Sequence, residues 1–242
     1  MMRMKHLISI VFLLTLGAVL HGQHNTLTSI EESEGWILLF DGKTTDAWRG
    51  YNKKAFPEKG WEVRDENLVI TFSGTEEEGL AGDIVTKERY GNFELRLEFM
   101  LTDSANSGVF YLVKEFEGSP IWHLSPEYQI LDNPTYESML GDWMDKHRTG
   151  DNYDLEAAAE DHSNPVGEWN TARILKRGNH VEHWLNGKIC VQYEIGSIKW
   201  KRQVQQSKFS EFAMYAMEKQ GNIGLQDHGH EVMYRNIKIR RL

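Results

Sequence analysis

The amino-acid sequence predicts an all-β fold, a sandwich or jelly roll of antiparallel strands. Residues 93–99 alternate apolar and charged side chains without a break, which is typical of a strand with one buried face. Asn186-Gly187 separates two strand-like runs, 181–185 and 189–193. This dipeptide predicts a hairpin, because a type I′ turn needs positive φ at both central positions. Many short strands with turn residues between them favour a sandwich.

Further strands follow from the same pattern, and two segments interrupt it. Residues 138–166 are polar and rich in Asp, Glu, Asn and Gly, which predicts a long loop over the sheet. Residues 201–219 can carry a short helix. The other predicted strands lie at 36–40, 68–72, 109–113, 128–131, 171–175 and 232–239.

The N-terminus has the pattern of a secretory signal. A basic start precedes an apolar run at residues 7–20, which is too short to cross a bilayer as a helix. With cleavage near Gly22, we expect a signal peptide at 1–22, a leader at 23–33 and one domain at 34–242. The protein is therefore expected to be exported, to the periplasm or the extracellular space. Cys190 is the only cysteine, so the sequence offers neither an internal disulfide nor a lipid-anchor cysteine after the signal.

Composition argues against two classes of partner, nucleic acid and anionic membrane surfaces. The net charge is −9, from 36 acidic and 27 basic residues, and removal of residues 1–22 takes away two bases and no acid. Such a chain repels nucleic acid and anionic membrane surfaces. Its length is sufficient to bury a core without disulfides or metals.

One polar segment, residues 221–229, runs directly into the predicted last strand. Period-two geometry lets Leu225 point to the core while Gln226 points outward. Asp227 and His228 follow, and histidine is the residue type that titrates near neutrality. Taken alone, Gln226 and Asp227 are explained more simply as partners of loop amides.

A second polar segment, residues 127–133, offers a complementary set of side chains. Glu127 and Gln129 share one face of the predicted strand, whereas Asp132 has the opposite parity unless a bulge intervenes or the strand has ended. A strand face that only contacts solvent normally also carries Lys, Ser and Thr. A face with only acidic and amide side chains therefore predicts a binding or catalytic site. The alternative is an outer face whose acidic residues form salt bridges.

These segments belong to a series of short blocks that occur in a recognisable order. The blocks are FDGK at 40–43, NSG at 106–108, EYQILDN at 127–133, GDNYDL at 150–155, EWN at 168–170, WLNG at 184–187, LQDHG at 225–229 and RNI at 235–237. The ordered series resembles the 3-keto-disaccharide hydrolase domain family over residues 34–242.

The resemblance implies a concanavalin A-like jelly-roll sandwich of two antiparallel sheets that acts on glycosides oxidised to a ketone at C3. A C3 ketone acidifies the C2 proton, so a base can remove it and the C1 substituent can leave by elimination. Water can then add across the double bond. This route needs a base, a proton donor and hydrogen-bond donors for the enolate oxygen. A small carbohydrate is therefore the expected partner, and no cofactor is predicted.

Glu127 and His228 are the expected catalytic pair. One of them would act as the base while the other donates a proton to the glycosidic oxygen. Both residue types exchange protons near neutral pH when their surroundings tune them, and Glu127 lies next to Tyr128 and near Trp122, which favours desolvation.

Eight further residues are expected to bind the substrate. Amides suit sugar hydroxyls, aromatic rings stack on sugar faces, and side chains of the polar loop can close over a substrate and stabilise an enolate. Trp169 and Trp184, by contrast, are expected in the core. The predicted binding set is Gln129, Asp132, Arg148, Tyr153, Gln226, Asn106, Trp122 and Trp143.

Two other functions remain open from the residues. A glucanase-like hydrolase on the same fold would need two carboxylates flanking the scissile bond, and Gln129 stands where the second is expected, which disfavours it. A non-catalytic, lectin-like module would use the same side chains to hold sugar hydroxyls. Convergence of Glu127 and His228 on one pocket would favour the enzyme. The histidines show no established metal-binding spacing, so no metal site is predicted.

Overall fold

The computed structural model describes residues 24–74, 79 and 81–242. The predicted signal peptide at 1–22 lies outside the described residues. No helix within the described part of the chain is both long enough and apolar enough to cross a membrane.

Antiparallel strands dominate the described residues, with three short α-helices and three 3₁₀ turns between them. The helices are α1 (Ser29–Ser33), α2 (Asn133–Leu140) and α3 (Ile198–Gln205), and the 3₁₀ turns are Ile121–His123, Gly141–Met144 and Lys208–Glu211. The strands are β1 (Trp36–Leu38), β2 (Trp48–Gly50), β3 (Trp61–Arg64), β4 (Asn67–Ile70), β5 (Ile84–Thr86), β6 (Phe93–Leu101), β7 (Asn106–Val113), β8 (Glu127–Leu131), β9 (Trp169–Arg177), β10 (His180–Leu185), β11 (Lys188–Glu194), β12 (Asn222–Leu225) and β13 (Val232–Arg241).

The strands form two sheets that pack face to face. The larger sheet has the order β11-β10-β9-β6-β13-β4-β3, and β1 pairs with the last part of β13. The smaller sheet has the order β2-β5-β12-β7-β8. Their inner faces meet in one large apolar cluster that includes Leu95 and Phe99 of β6 and Val109 and Tyr111 of β7. The predicted all-β sandwich of two antiparallel sheets, a jelly roll, is confirmed.

Alternation and turn chemistry explain the most regular elements. On β6 the inward-facing apolar residues, such as Leu95, Leu97 and Phe99, are buried and alternate with Arg96 and Glu98, which are partly exposed on the outer face. At the β10–β11 turn, φ is 49° at Asn186 and 77° at Gly187. Both central positions have the positive φ that the predicted hairpin requires.

The structure corrects the prediction for the polar segments. Residues 138–166 were expected as loop, but α2 and the following 3₁₀ turn occupy 133–144, and Pro134 stands in the first turn of α2, where its missing N–H costs nothing. Helix α3 begins at Ile198, earlier than expected, because the Ser197 hydroxyl caps the Trp200 amide at 3.1 Å. Strands β2, β3 and β5 are three or four residues long, too short for alternation to reveal.

Trp169 and Trp184 do not belong to the core, contrary to expectation. On β9 and β10 they share the outer face of the larger sheet, because alternate residues such as Ile174 fill the core. The Arg235 guanidinium lies 3.8 Å from the ring centroid of Trp169, and that of Arg173 lies 4.9 Å from that of Trp184. Arginine stacking thus covers these rings on the solvent side.

The described part of the leader packs against the larger sheet. The Asn25 amide N–H donates to the Asn236 side-chain oxygen at 2.6 Å, and the Asn236 amide N–H donates back to the Asn25 side-chain oxygen at 2.8 Å. Asn236 occupies a bulge of β13 with φ 52°. A capping box between Thr28 and Glu31 starts α1.

Glu94 anchors the outer face of the larger sheet. Its side chain is only 2% exposed, and its oxygens accept hydrogen bonds from Arg173, Arg240 and Arg96, each at 2.7 Å. Burial alone would raise the pKa of Glu94, but the three arginines outweigh it and lower the pKa to about 2.

We expect Glu94→Gln to lower the free energy of unfolding by about 2 kcal/mol at pH 7, because it removes a buried anion from three cations. Since the folded-state pKa is depressed, this stability is fully present above the unfolded pKa of about 4.5 and is lost as pH falls toward 2. Urea unfolding at pH 7 and pH 3 measures both effects. Glu88→Gln is the control, since Glu88 is 75% exposed and lies 3.6 Å from Arg241. Equal urea midpoints for the two variants at pH 7 would contradict the prediction.

Candidate active site

A cleft opens on the outer face of the smaller sheet. Tyr128 and Ile130 of β8 point into the core, so Glu127 and Gln129 point into the cleft, as the period-two pattern predicts. The cleft is lined by Asn106, Trp122, Glu127, Gln129, Leu131, Tyr136, Trp143, Tyr153, Lys208, Gln226 and His228.

The cleft brings together eight of the ten residues proposed from the sequence. Glu127 and His228, the expected catalytic pair, both line it. The six predicted binding residues that accompany them are Gln129, Tyr153, Gln226, Asn106, Trp122 and Trp143.

Asp132 and Arg148 lie outside the cleft lining, so the expectation that they line the site is not met. Asp132 follows the last residue of β8, and its carboxylate accepts a hydrogen bond from the Ser104 amide at 2.8 Å. The Arg148 guanidinium donates to Glu137 at 2.7 Å. Local partners therefore hold both side chains away from the site.

Glu127 has the surroundings of a proton-transfer group. It is 3% exposed, and its carboxyl lies directly over the backbone of Gly108, where a Cβ atom would be 2.0 Å from Oε1. Burial raises the pKa of Glu127 to about 8, with the nearby Lys208 cation opposing the rise and the Asp83 anion adding to it. A carboxyl tuned in this way can exchange a proton close to neutral pH.

This raised pKa has a cost in stability that Glu127→Gln should remove. Between the unfolded pKa of about 4.5 and the folded pKa of about 8, the folded chain holds a proton that the unfolded chain has released, so stability falls as pH rises. Glutamine has no such proton, so we expect the melting temperature of the variant to exceed that of the parent by about 5 °C at pH 8 and by less at pH 5. Thermal melts against pH, with the exposed Glu160→Gln as control, measure this. A pH-independent difference would contradict the assigned pKa.

Lys208 is a cleft residue that sequence reasoning missed. Its Nζ donates to the Tyr153 hydroxyl at 2.9 Å and lies 4.4 Å from the ring centroid of Trp122. Its backbone N–H donates to Asp154 at 3.0 Å, which fixes the start of the 3₁₀ turn Lys208–Glu211. No local signal marked this lysine, because its neighbours in the cleft come from distant segments. It places a positive charge close enough to Glu127 to affect its ionisation.

Tyr136 and Trp143 come from the helical turns that the sequence pattern did not predict. The Tyr136 hydroxyl donates to the Ser104 carbonyl at 3.4 Å, and burial raises its pKa. The Trp143 ring is 50% exposed and stacks on His147 with a centroid distance of 3.8 Å and an interplanar angle of 5°. Trp143 therefore offers an exposed aromatic face at the edge of the cleft. Pro134, in the first turn of α2, was the sequence signal that could have located this helix.

The segment after β12 forms another wall of the cleft. The Asp227 carboxylate accepts hydrogen bonds from the backbone N–H groups of Ala81 at 3.0 Å, Gly82 at 3.2 Å and Gly229 at 3.0 Å. Asp227 thus satisfies loop amides, as its simpler interpretation predicts. Burial raises the pKa of Asp227, although these three N–H groups and the nearby His228, which also lines the cleft, lower it.

The amide side chains of the cleft are arranged to contact a polar ligand. The Gln129 side-chain N–H donates to the Asn106 side-chain oxygen at 3.2 Å, so the two amides form a pair. Gln226 lines the cleft, and its buried Oε1 has no hydrogen-bond partner among residues 24–74, 79 and 81–242. In the same described part of the chain, no three His, Cys, Asp or Glu residues lie close enough together to hold a metal ion.

The arrangement has the parts that acid–base chemistry on a carbohydrate requires. A buried carboxyl, an imidazole and a lysine ammonium line one cleft with amides and aromatic rings. The carboxyl and imidazole can exchange protons, and the ammonium can stabilise a developing negative charge.

Comparison with known proteins identifies the family of the chain. The model of the family described as 3-keto-alpha-glucoside-1,2-lyase-like domain matches residues 35–240. A curated protein of Bacteroides thetaiotaomicron, named 3-keto-disaccharide hydrolase, is 34% identical over 234 residues, which cover 87% of this chain and 80% of that protein.

Two solved structures are similar to this chain in both fold and sequence. A protein of Parabacteroides distasonis, described as a proposed glycosyl hydrolase, superposes with a TM-score of 0.82 and 34% identity, covering 91% of this chain and 100% of the other. A second protein of that organism with the same description gives a TM-score of 0.62 and 27% identity, covering 86% and 99%. The resemblance inferred from the sequence blocks is confirmed, as is the prediction of an enzyme in the glycoside hydrolase and lyase class. The chain belongs to the 3-keto-alpha-glucoside-1,2-lyase-like domain family.

Proposed function

We propose that the protein cleaves 3-keto-glycosides by removing the C2 proton and eliminating the C1 substituent. The observation that carries this proposal is the presence of Glu127, whose side chain is buried, in one cleft with His228 and Lys208. Family membership supports action on a glycoside. A C3 ketone supplies the acidity at C2 that a single carboxylate needs in order to act as a base on carbon.

The elimination uses Glu127 as the base and His228 as the proton donor. The Glu127 carboxylate takes the C2 proton, and the electrons of the broken C–H bond form the C2=C3 bond of an enolate. When the ketone reforms, a C1=C2 bond forms and the C1–O bond breaks. The leaving oxygen takes a proton from the His228 imidazolium, so the products are an unsaturated ketone and a free alcohol. Its raised pKa makes Glu127 a stronger base than an ordinary carboxylate.

Hydration can follow in the same cleft. Hydroxide from water adds to C1 and a proton returns to C2, which gives the free 3-keto-sugar, and no oxidant or reductant is consumed. Lys208 is suited to stabilise the negative charge on the enolate oxygen, because its ammonium lies among the rings of Trp122 and Tyr153 in the cleft. Gln129, Gln226 and Asn106 are suited to bind sugar hydroxyls.

This assignment predicts a particular pH dependence. The base must be ionised and the imidazole protonated in the free enzyme, so kcat/KM should rise with pH, pass through a maximum and fall again, with the Glu127 pKa of about 8 setting one limb of the profile. Initial rates on a methyl 3-keto-glucoside from pH 5 to pH 10 measure both limbs. A kcat/KM that does not change over this pH range would contradict a mechanism with two titrating groups.

The proposal is tested by incubating the protein in D₂O with a methyl 3-keto-glucoside and, separately, with its unoxidised parent. We expect alcohol release from the keto substrate alone, with deuterium at C2 of the hydrated product. Binding of both sugars with neither release nor exchange would show a lectin-like module instead. Release from the unoxidised parent would show a direct hydrolase.

We also propose that the chain is exported with loss of residues 1–22, on the strength of its basic start and short apolar run. Mass spectrometry of the protein from periplasmic and extracellular fractions should find a first residue near Gln23. Full-length protein confined to the cytoplasm would contradict export.

A further inference from the structure

Two buried hydroxyl groups meet in the apolar core between the sheets. Ser107 lies on β7 of the smaller sheet and Tyr234 lies on β13 of the larger sheet, and both residues are 0% exposed. Their hydroxyl oxygens are 2.6 Å apart. The Ser107 oxygen is also 2.7 Å from the backbone carbonyl oxygen of Gln226. Neither Ser107 nor Tyr234 lines the cleft, so the proposed chemistry does not use either hydroxyl directly.

The chemistry of the three groups fixes the direction of both hydrogen bonds. A carbonyl oxygen can only accept, so Ser107 donates its one hydroxyl proton to Gln226. The Ser107 oxygen must then accept the proton of Tyr234. Burial raises the pKa of Tyr234, so its hydroxyl keeps that proton. A chain of two hydrogen bonds therefore runs from Tyr234 through Ser107 to the backbone of Gln226.

This hydrogen-bond chain connects two walls of the cleft. Gln226 directly follows the last residue of β12, and its backbone N–H donates to the Gly108 carbonyl at 3.0 Å. Gly108 is the residue over which the Glu127 carboxyl lies. The backbone of Gln226 is thus held to β7 through both its N–H and its carbonyl group. Because His228 follows two residues later, its position relative to Glu127 depends on where this backbone is held.

A separate set of hydrogen bonds holds the same segment on another side. The Asp227 carboxylate accepts from the backbone N–H groups of Ala81 and Gly82, which precede β5. These bonds do not reach β7, whereas the Ser107 hydroxyl supplies a side-chain link to it. Burying hydroxyl groups among apolar side chains costs free energy unless they are paired, so a purely structural core would be served as well by alanine and phenylalanine.

We propose that Ser107 and Tyr234 are positioning residues that hold His228 in place relative to Glu127. Acting through the backbone of Gln226, they keep the imidazole where it can protonate the leaving oxygen. This inference rests on the proposed function, because it takes His228 as the proton donor. Loss of the hydrogen-bond chain should slow the departure of a leaving group that needs a proton and spare one that does not.

The test compares kcat for two substrates that differ in their leaving group. 4-Nitrophenolate departs from C1 without a proton, whereas methanol needs one, so a misplaced proton donor slows only methyl 3-keto-glucoside. Ser107→Ala should lower kcat about 30-fold on the methyl substrate and less than about threefold on the 4-nitrophenyl substrate. Tyr234→Phe leaves the bond from Ser107 to Gln226 in place, so it should change the ratio of the two kcat values only about threefold.

Thr86→Val is the matched control for the loss of a buried hydroxyl. Thr86 is 1% exposed, and its hydroxyl donates to the Glu88 carbonyl at 2.7 Å and accepts from the Ile223 amide at 3.0 Å. This hydroxyl holds the other end of β12, and Thr86 does not line the cleft. Valine has nearly the same shape, so Tm should fall while the ratio of the two kcat values stays that of the parent protein.

The outcomes separate the inference from the proposed function. If the parent protein releases alcohol from both keto substrates but folded Ser107→Ala lowers both kcat values equally, the inference is wrong and the proposed function stands. If Ser107→Ala does not fold, Tyr234→Phe decides, and an unchanged ratio overturns the inference. An equal change of the ratio in Thr86→Val would also overturn it. If the parent protein acts on no 3-keto substrate, the proposed function fails and the inference fails with it.

Discussion

Replacing Glu127 with glutamine is expected to lower kcat on a 3-keto-glucoside by at least about 1000-fold, in the range seen when a general base is removed. Glutamine has nearly the same shape as glutamate but cannot accept the C2 proton. Binding should persist, because the other cleft residues are unchanged. Stopped assays for kcat and calorimetric titration for the dissociation constant measure the two properties separately.

The control for this prediction is Glu160→Gln, an exposed acid in the segment after α2 for which activity should be unchanged. Circular dichroism and the thermal melts described above establish that Glu127→Gln is folded. A folded Glu127→Gln variant that keeps more than a tenth of the parent kcat would remove Glu127 from the mechanism, and the lectin-like interpretation would then gain if no other base were found.

Gly108→Ala should have the second largest effect, an expected loss of about 100-fold in kcat/KM. Gly108 lies on β7 opposite Gln129, and an alanine Cβ there would stand 2.0 Å from Glu127 Oε1 and 3.0 Å from its Cγ. Since no real atoms approach so closely, the carboxyl must move away from its position in the cleft. A displacement of about 1 Å in a reacting group is sufficient for a loss of this size.

Gly91→Ala is the matched control for backbone effects. A Cβ at Gly91 would meet its nearest neighbour, the Lys219 carbonyl oxygen, at 3.4 Å, and neither glycine has a positive φ. Both variants should therefore fold, and only Gly108→Ala should lose activity. Steady-state kinetics and thermal melts on the two proteins decide the question. Equal kcat/KM values would show that the carboxyl can move without consequence for the chemistry.

Local patterns located much of the fold. All nine predicted strands overlap observed ones, since alternating or continuous apolar runs between turn residues reflect strands with at least one buried face. The hairpin at Asn186 and Gly187 followed from backbone sterics alone. Strands β2, β3 and β5 were not predicted, and their pairing with neighbouring strands defines them in the folded protein.

The candidate site was accessible from the sequence in part. The sequence pattern placed polar side chains on the outward face of β8 and directly after β12. Three of them, Glu127, Gln129 and Gln226, line one cleft. Asp132 and Arg148 share the polar character of these residues but have partners of their own, Ser104 and Glu137. Composition cannot distinguish a polar side chain that faces a ligand from one that is already paired within the protein.

By itself, the sequence determined that the chain folds as a β-sandwich and which segments present polar side chains. The reason is that strand geometry and turn sterics act over a few neighbouring residues. Only the tertiary structure decided that Lys208 joins Glu127 and His228 in one cleft. The raised pKa of Glu127 depends on burial and on charges from distant segments, Lys208 and Asp83. These effects act through space, so they exist only once the sheets have packed and the loops have closed around the cleft.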